Sequence, residues 1–215
     1  MDAANQSLQA LGPAVVQVWT RDPRAKARTR SGTGLAIGSS EILTCAHVVH
    51  QRQDIALGPE QIPCDVIRIE LATDLAILRV KEGNHPYPQV ELTPDEPHIQ
   101  LGAPVAVMGW PALERLQYES PITVFGQVAL LDATVTVNDR GVRVFVMDLP
   151  GLGGMSGGPV IDMATNAIIG LHAGTVRARA EANGPPELRR LEVYERALGY
   201  AIPRRSLEAI LAEAS

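Results

Sequence analysis

The sequence predicts an all-β protein of the barrel or sandwich kind, and three observations carry that expectation. Hydrophobic residues make up 46% of the chain but aromatics only 4%, so the core falls to Val, Ile, Leu and Ala, several of which favour pleated, half-buried surfaces. Gly (19) and Pro (16) are plentiful, which supplies many turns. About ten short β-branched runs follow one another closely with turn residues between them, a pattern of sandwiches and barrels rather than of alternating βαβ units.

In chain order, residues 3–11 (AANQSLQAL) predict a short helix stopped by Gly12-Pro13. The expected strands are then Val15–Thr20, Leu35–Ile37, Val66–Ile69, Leu75–Val80, Val105–Gly109, Ile122–Leu131, Thr134–Val137, Val142–Met147, Pro159–Asp162 and Ala167–His172. Gly83–Pro104 is poor in strand signals and carries Pro86, Pro88, Pro94, Pro97 and Pro104, so it reads as a connection between two β-rich halves. Arg204–Ser215 predicts a closing helix with Ser206 as its N-cap and Leu207, Ile210 and Leu211 on one face. Two segments read as solvated loops or, alternatively, as contact surfaces. One is the basic Arg21–Arg30 (RDPRAKARTR), expected as an exposed hairpin loop. The other is Arg177–Ala197, where Gly184-Pro185-Pro186 precedes a helical-looking ELRRLEVYERA.

Composition excludes several classes. At 215 residues folding buries roughly 70% of the unfolded chain's surface, so a sizeable core needs no staples. A net charge of −5 argues against nucleic-acid binding by bulk charge. No apolar run approaches the ~20 residues that span a bilayer, so no membrane partner is expected. The first residues, MDAANQS, lack a basic and an apolar signal region, and the expected location is cytoplasmic. Cys45 and Cys64 permit at most one disulfide. Cys45 reads as a small packing residue inside an apolar strand. His50, His85 and His98 share no ligand-like spacing, and no metal is expected.

Three short frames carry chemistry. Gly153-Gly154-Met155-Ser156-Gly157-Gly158-Pro159 surrounds a serine with glycines, which lets consecutive N–H groups converge on one external point. A tight turn with a filler serine would look the same. Ile42–Val49 runs as a strand straight into His47, and Thr73-Asp74 stands before the apolar run Leu75–Leu78. A histidine in such a frame is often a core residue, and an aspartate there is often a turn residue. Together they offer a nucleophile, a base and an orienting acid.

These frames, in the order His, Asp, Ser, resemble the chymotrypsin-type serine proteases, in particular their bacterial HtrA-like branch. Further resemblances are Ser31-Gly32-Thr33-Gly34-Leu35 before the histidine, Val107–Pro111, Phe125-Gly126-Gln127-Val128, and Gly199-Tyr200-Ala201-Ile202-Pro203 before the last helix. The resemblance implies a chymotrypsin-like double β-barrel with a short N-terminal and a C-terminal helix, as a single trypsin-like peptidase domain without a PDZ module. The first barrel would cover about 12–90, the second about 100–203, and the helix about 204–214. It implies peptide-bond hydrolysis through an acyl-enzyme, without cofactor, on a polypeptide substrate. His47 would be the general base, Asp74 its orienting acid and Ser156 the nucleophile, with the N–H groups of Gly154 and Ser156 as the oxyanion hole.

The chain also departs from that pattern. Pro150 occupies the position, six residues before Ser156, where Arg/Lys-cleaving relatives carry Asp, so basic specificity is disfavoured. Met155 replaces the acid that pairs with a newly cut N-terminus in secreted relatives. The Gly-rich Pro150–Gly154 loop is expected to order only with a partner or substrate. Gly170-Leu171-His172-Ala173-Gly174 resembles the strand by which glutamyl endopeptidases and picornavirus-type main proteases read Glu or Gln. The specificity pocket is therefore expected at Pro150, His172 and Gly174, preferring Glu/Gln or else small apolar residues. A catalytically silent module that binds a protein partner remains an alternative, as does the protease effector of an intracellular sensing or defence system.

Overall fold

The structure, a computed structural model, describes residues 3–24, 26–92, 99–113, 118–177 and 197–212. Pro94, Pro97, His98, Gly184-Pro185-Pro186 and all but the last residue of ELRRLEVYERA lie outside them. The chain enters through helix α1 (Ala3–Leu11), ended by a 3-10 turn at Gly12–Ala14. Six strands follow: β1 (Val15–Arg21), β2 (Thr29–Ala36), β3 (Glu41–Cys45), β4 (Gln53–Leu57), β5 (Ile62–Glu70) and β6 (Leu75–Val80). A one-turn helix α2 (Ala46–Val49) sits between β3 and β4. After a stretch without helix or strand in its described parts come β7 (Pro104–Gly109), β8 (Ile122–Val137), β9 (Arg140–Asp148), β10 (Pro159–Asp162), β11 (Ile168–Arg177) and β12 (Ala197–Pro203). Helix α3 (Arg204–Ala212) closes the described chain.

Each set of six closes on itself. The first barrel runs β1-β2-β3-β6-β5-β4, and the second runs β7-β8-β9-β12-β11-β10. The two strand orders are the same with the numbering advanced by six, although the sequence carries no visible repeat. Closure leaves no open sheet edge, and this is the chymotrypsin-like double barrel. Strands buried on both sides are nearly continuous in apolar residues, as in β6, while β5 on the surface alternates. Val18, Leu35, Leu43, Leu57 and Ile77 fill the first barrel, and Phe145, Met147, Val160 and Ile169 the second. Leu207 and Ile210 of α3 are buried and Leu211 packs partly against the same core, so the helix buries the expected face.

Several expected elements differ in detail. Ile122–Leu131 and Thr134–Val137 are one strand, because an irregularity between Leu130 and Ala133 absorbs the polar interruption at Asp132. The β8–β9 hairpin turns on Asn138 and Asp139 alone, both at positive φ (49° and 61°), the geometry that matches strand twist. α3 begins at Arg204, directly after Pro203, so Ser206 lies inside the helix rather than at its N-cap. Arg21–Arg30 does join two paired strands as a hairpin. Cys45 and Cys64 are both free and buried. No described helix is long and apolar enough to cross a membrane.

Candidate active site

The candidate site lies where the two barrels meet. The strand expected to reach His47 ends one step early: β3 stops at Cys45, and His47 is the second residue of α2. Asp74 closes the turn before β6, which pairs with β3 through Cys45 opposite Leu75. This pairing places the aspartate against the start of α2. The Asp74 carbonyl accepts the Ala46 N–H (2.8 Å). Its carboxylate accepts the His47 backbone N–H through Oδ1 (2.9 Å) and the imidazole Nδ1 through Oδ2 (2.7 Å). Asp74 adopts φ 57°, a left-handed conformation that aspartate tolerates better than most residues. The carboxylate side chain is 1% exposed and the His47 side chain 28%. The imidazole is thus fixed at its inner edge while its outer edge, with Nε2, faces the cleft.

Ser156 belongs to the second barrel, in the turn that enters β10. Its backbone is held from the first barrel, because its carbonyl accepts the Thr33 N–H at 2.8 Å. Its hydroxyl donates to the Ala173 carbonyl of β11 at 3.0 Å, and among the described residues it makes no hydrogen bond to His47. Val48 and Ser156 both pack against Gly32, where an added Cβ would lie 2.7 Å from Val48 Cγ1 and 3.0 Å from the Ser156 carbonyl. The fold therefore brings His47, Asp74 and Ser156 to one junction, with the serine hydroxyl turned toward Ala173.

The Gly153–Gly154 and Met155–Ser156 peptides are aimed by their carbonyls. Ala112 N–H donates to the Gly153 carbonyl (2.8 Å) and Gly158 N–H to the Met155 carbonyl (3.0 Å). In a trans peptide the N–H points opposite the C=O. The Gly154 and Ser156 N–H groups therefore point away from these tethers, and neither has an acceptor among the described residues. Gly154 is at φ +96°, and a Cβ there would come within 2.8 Å of the Trp110 carbonyl, so glycine is required. Met155 is fully buried in the second core, which anchors the loop by packing.

Thr33 is the residue that sequence reasoning missed. Its Oγ1 accepts the Trp110 N–H (2.9 Å) and donates to the Gly154 carbonyl (2.8 Å), while its own carbonyl accepts the Thr44 hydroxyl (2.7 Å). One side chain of β2 thus braces the Ser156 loop across the barrel interface. Nothing local to Ser31-Gly32-Thr33 signals this, since the partner carbonyl is 121 residues away.

Of the expected pocket residues, His172 sits in β11 with its backbone paired to Gly157 and Gly158. Its side chain is 1% exposed, and neither ring nitrogen finds a hydrogen-bond partner of good geometry. Burial, with the charge of His47 adding and the Met155 backbone opposing, lowers its pKa to about 4. Gly174 leaves room for the Tyr200 hydroxyl, 2.6 Å from where a Cβ would stand. Pro150 is exposed, and the Gly151 beside it packs on Thr175. Cys45, His47 and Asp74 bring potential metal-ligand atoms within 4.8 Å of one another. Burial and the Asp74 charge push the Cys45 thiol well above its ordinary pKa, and both Asp74 oxygens already accept hydrogen bonds from His47, so this donor set is poorly suited to a cation.

Residues 32–171 match the trypsin-like peptidase domain. A protein of Sinorhizobium fredii named only as uncharacterized protein y4bJ is 29% identical over 150 residues, 68% of this chain. The match spans 22% of that protein's length. Among solved structures, the active form of the Rv3671c protease from M. tuberculosis superposes with TM-score 0.73 at 21% identity, covering 98% of this chain and 86% of that one. The MamO protease domain from Magnetospirillum magneticum gives 0.65 at 19% identity, covering 93% and 96%. A serine endoprotease from Yersinia pestis gives 0.68 at 20%, covering 99% and 66%. With the double barrel and a match spanning most of its length, the chain belongs to the trypsin-like peptidase domain family.

Proposed function

We propose that the chain is a serine endopeptidase in which Ser156, His47 and Asp74 form the catalytic triad. The observation that carries this reading is the buried Asp74 carboxylate, which binds both the backbone and Nδ1 of His47 and so presents Nε2 to the serine side of the cleft. A staggered rotation about χ1 moves the Ser156 hydroxyl from the Ala173 carbonyl toward His47. His47 then takes the hydroxyl proton as Oγ attacks the substrate carbonyl, and Asp74 stabilises the imidazolium. The oxyanion is received by the Gly154 and Ser156 N–H groups, whose direction is set before substrate arrives. His47 returns the proton to the leaving amine, and water repeats the sequence on the acyl-enzyme. A fluorophosphonate probe is expected to label Ser156 and to leave Ser156→Ala unlabelled. A wild-type chain that stays unlabelled while intact would overturn the assignment.

The same reading extends to specificity. A neutral imidazole donates one hydrogen bond, and the only backbone group among the described residues acting on the buried His172 ring, that of Met155, makes no contact of good geometry, which leaves the ring able to accept a better partner. A Glu carboxylate or Gln amide oxygen would supply one, and Pro150 offers no counter-charge for Arg or Lys. A cleavage profile unchanged by His172→Val would return the choice to small apolar residues. The hydroxyl of Ser156, held on the Ala173 carbonyl rather than on His47, favours a second reading, in which a partner or activator turns the serine toward His47. Labelling that rises on adding a candidate activator would support it. A silent partner-binding module, or an effector of an intracellular sensing or defence system, would be separated from these by labelling and then by the substrates cleaved.

A further inference from the structure

The Arg-rich loop after β1 has no part in the mechanism above, yet the fold carries it to His47. Asp22, Pro23 and Arg24 from that loop, His50–Arg52 from the turn after α2, and Asn138 from the tip of the β8–β9 hairpin enclose, with His47, an open cavity of about 460 Å³. Its wall draws on both barrels, as a substrate channel between them must.

The charges in this wall are unequally satisfied. The Asp22 carboxylate accepts the Arg24 backbone N–H (2.9 Å) and Arg52 Nη1 (2.6 Å), and these contacts hold its pKa below the usual value. Arg52 and Asp22 therefore neutralise each other. Arg21 is turned away to Asp54 (2.5 Å) and Gln53 (2.9 Å), and Arg28 to the Asp54 carbonyl (2.7 Å) and Gln61 (3.1 Å). The guanidinium of Arg24 makes no hydrogen bond or close ion pair among the described residues and acts on Asp22 only through its charge, more weakly than Arg52 does. It is the remaining positive charge in the cavity wall, and its planar fork suits a carboxylate.

We propose that this loop forms a substrate subsite beside His47 that takes an acidic side chain, Asp or Glu, close to the scissile bond, with Arg24 as the anion's partner. The proposal rests on the serine-peptidase reading. It concerns a different place from His172, which is buried on the Ala173 side of Ser156. A polypeptide crossing the cleft has residues on both sides of the bond being cut, so a contact beside the base and a contact beside the nucleophile read different positions.

The test uses the whole chain and matched fluorogenic peptides that carry Glu, Gln or Lys at each position flanking the scissile bond. At one position kcat/KM is expected to favour Glu over Gln by up to about fivefold, the range of an ion pair at an exposed guanidinium. Arg24→Gln should remove that preference and Arg24→Glu should reverse it toward Lys. Lys26→Glu, the same charge change on the same loop outside the cavity wall, should retain it. An order of preference identical in wild type and Arg24→Glu overturns the subsite, as does a wild type indifferent to charge at every position. Fluorophosphonate labelling separates the two levels. Labelling with an unchanged preference removes the subsite alone, whereas an unlabelled wild-type chain removes the peptidase reading and the subsite with it.

Discussion

The two barrels share one strand order but hold their halves of the site in different ways. The first barrel positions His47 from within itself. β3 and β6 are paired neighbours, and Asp74 grips the start of α2 through three hydrogen bonds, two to backbone N–H groups and one to the ring. The second barrel cannot do the same for Ser156. Its loop is aimed by Ala112 in its own barrel and by Thr33 in the other, and the serine hydroxyl rests on Ala173. The proposed base is therefore held within one barrel, while the loop of the proposed nucleophile is held both by its own barrel, through Met155 and His172, and by Thr33 of the other.

This contrast is tested most strongly at its two ends. Ser156→Ala removes the nucleophile, and peptide hydrolysis should fall about 10⁶-fold with the far-ultraviolet dichroism unchanged. Residual turnover within tenfold of wild type would move the nucleophile elsewhere. Asp74→Asn keeps the size and the tolerance of left-handed φ but replaces the charged acceptor. The expected loss in kcat is about 10⁴-fold, with thermal stability little altered because the backbone bonds around Ala46 remain. Gly154→Ala acts on the loop of the proposed nucleophile. Its Cβ would press on the Trp110 carbonyl from a φ of +96°, so the loop must shift and the oxyanion donor is misaimed. A drop of about 10²–10³ in kcat is expected. Pre-steady-state kinetics should place the loss in acylation, with KM changed little.

The buried histidine gives the comparison a pH axis. The His172 pKa falls from 6.5 in the unfolded chain to about 4 in the fold. The folded state thus resists protonation that the unfolded state accepts. Its contribution is fully present above pH 6.5 and is lost as pH falls toward 4, on the order of 3 kcal/mol across that window. Urea midpoints measured at pH 7.5 and 4.5 should separate for wild type and converge for His172→Val. An equal acid loss in both proteins would assign the titration to other groups.

Much of this was legible in the residues, and the parts that were not share a cause. Ser156, His47 and Asp74 each sit in a short frame of distinctive composition, and β6 and β10 match their apolar runs to the residue. β4 was missed because it opens on Gln53 and Asp54, both exposed, and shows its apolar residues only at Ile55–Leu57. β8 was divided because Asp132 looks like a break, whereas the strand absorbs it as an irregularity. Ser206 looked like an N-cap because its type suits one, but Pro203 already ends β12 and lets the helix begin at Arg204. The duplicated strand order left no sequence repeat, since barrel closure constrains inward apolar positions and turns rather than particular residues. Thr33 and the resting direction of the Ser156 hydroxyl are long-range facts, which local patterns do not encode.

Thr33 also gives the smallest and most discriminating test. Thr33→Val is close to isosteric and keeps the backbone bond from residue 33 to the Ser156 carbonyl, but it removes the hydroxyl that joins Trp110 N–H to the Gly154 carbonyl. Two hydrogen bonds across the interface are lost, and each typically contributes about 0.5–1.5 kcal/mol. If those bonds position the oxyanion loop, kcat should fall about tenfold while KM for a short peptide holds. Thr33→Ser, which restores the hydroxyl, should recover most of the rate. If Thr33 only stabilises barrel docking, both variants should lower the urea midpoint with kcat unchanged, and the proposed dependence of the nucleophile on the opposite barrel would fail at the one side chain that spans them.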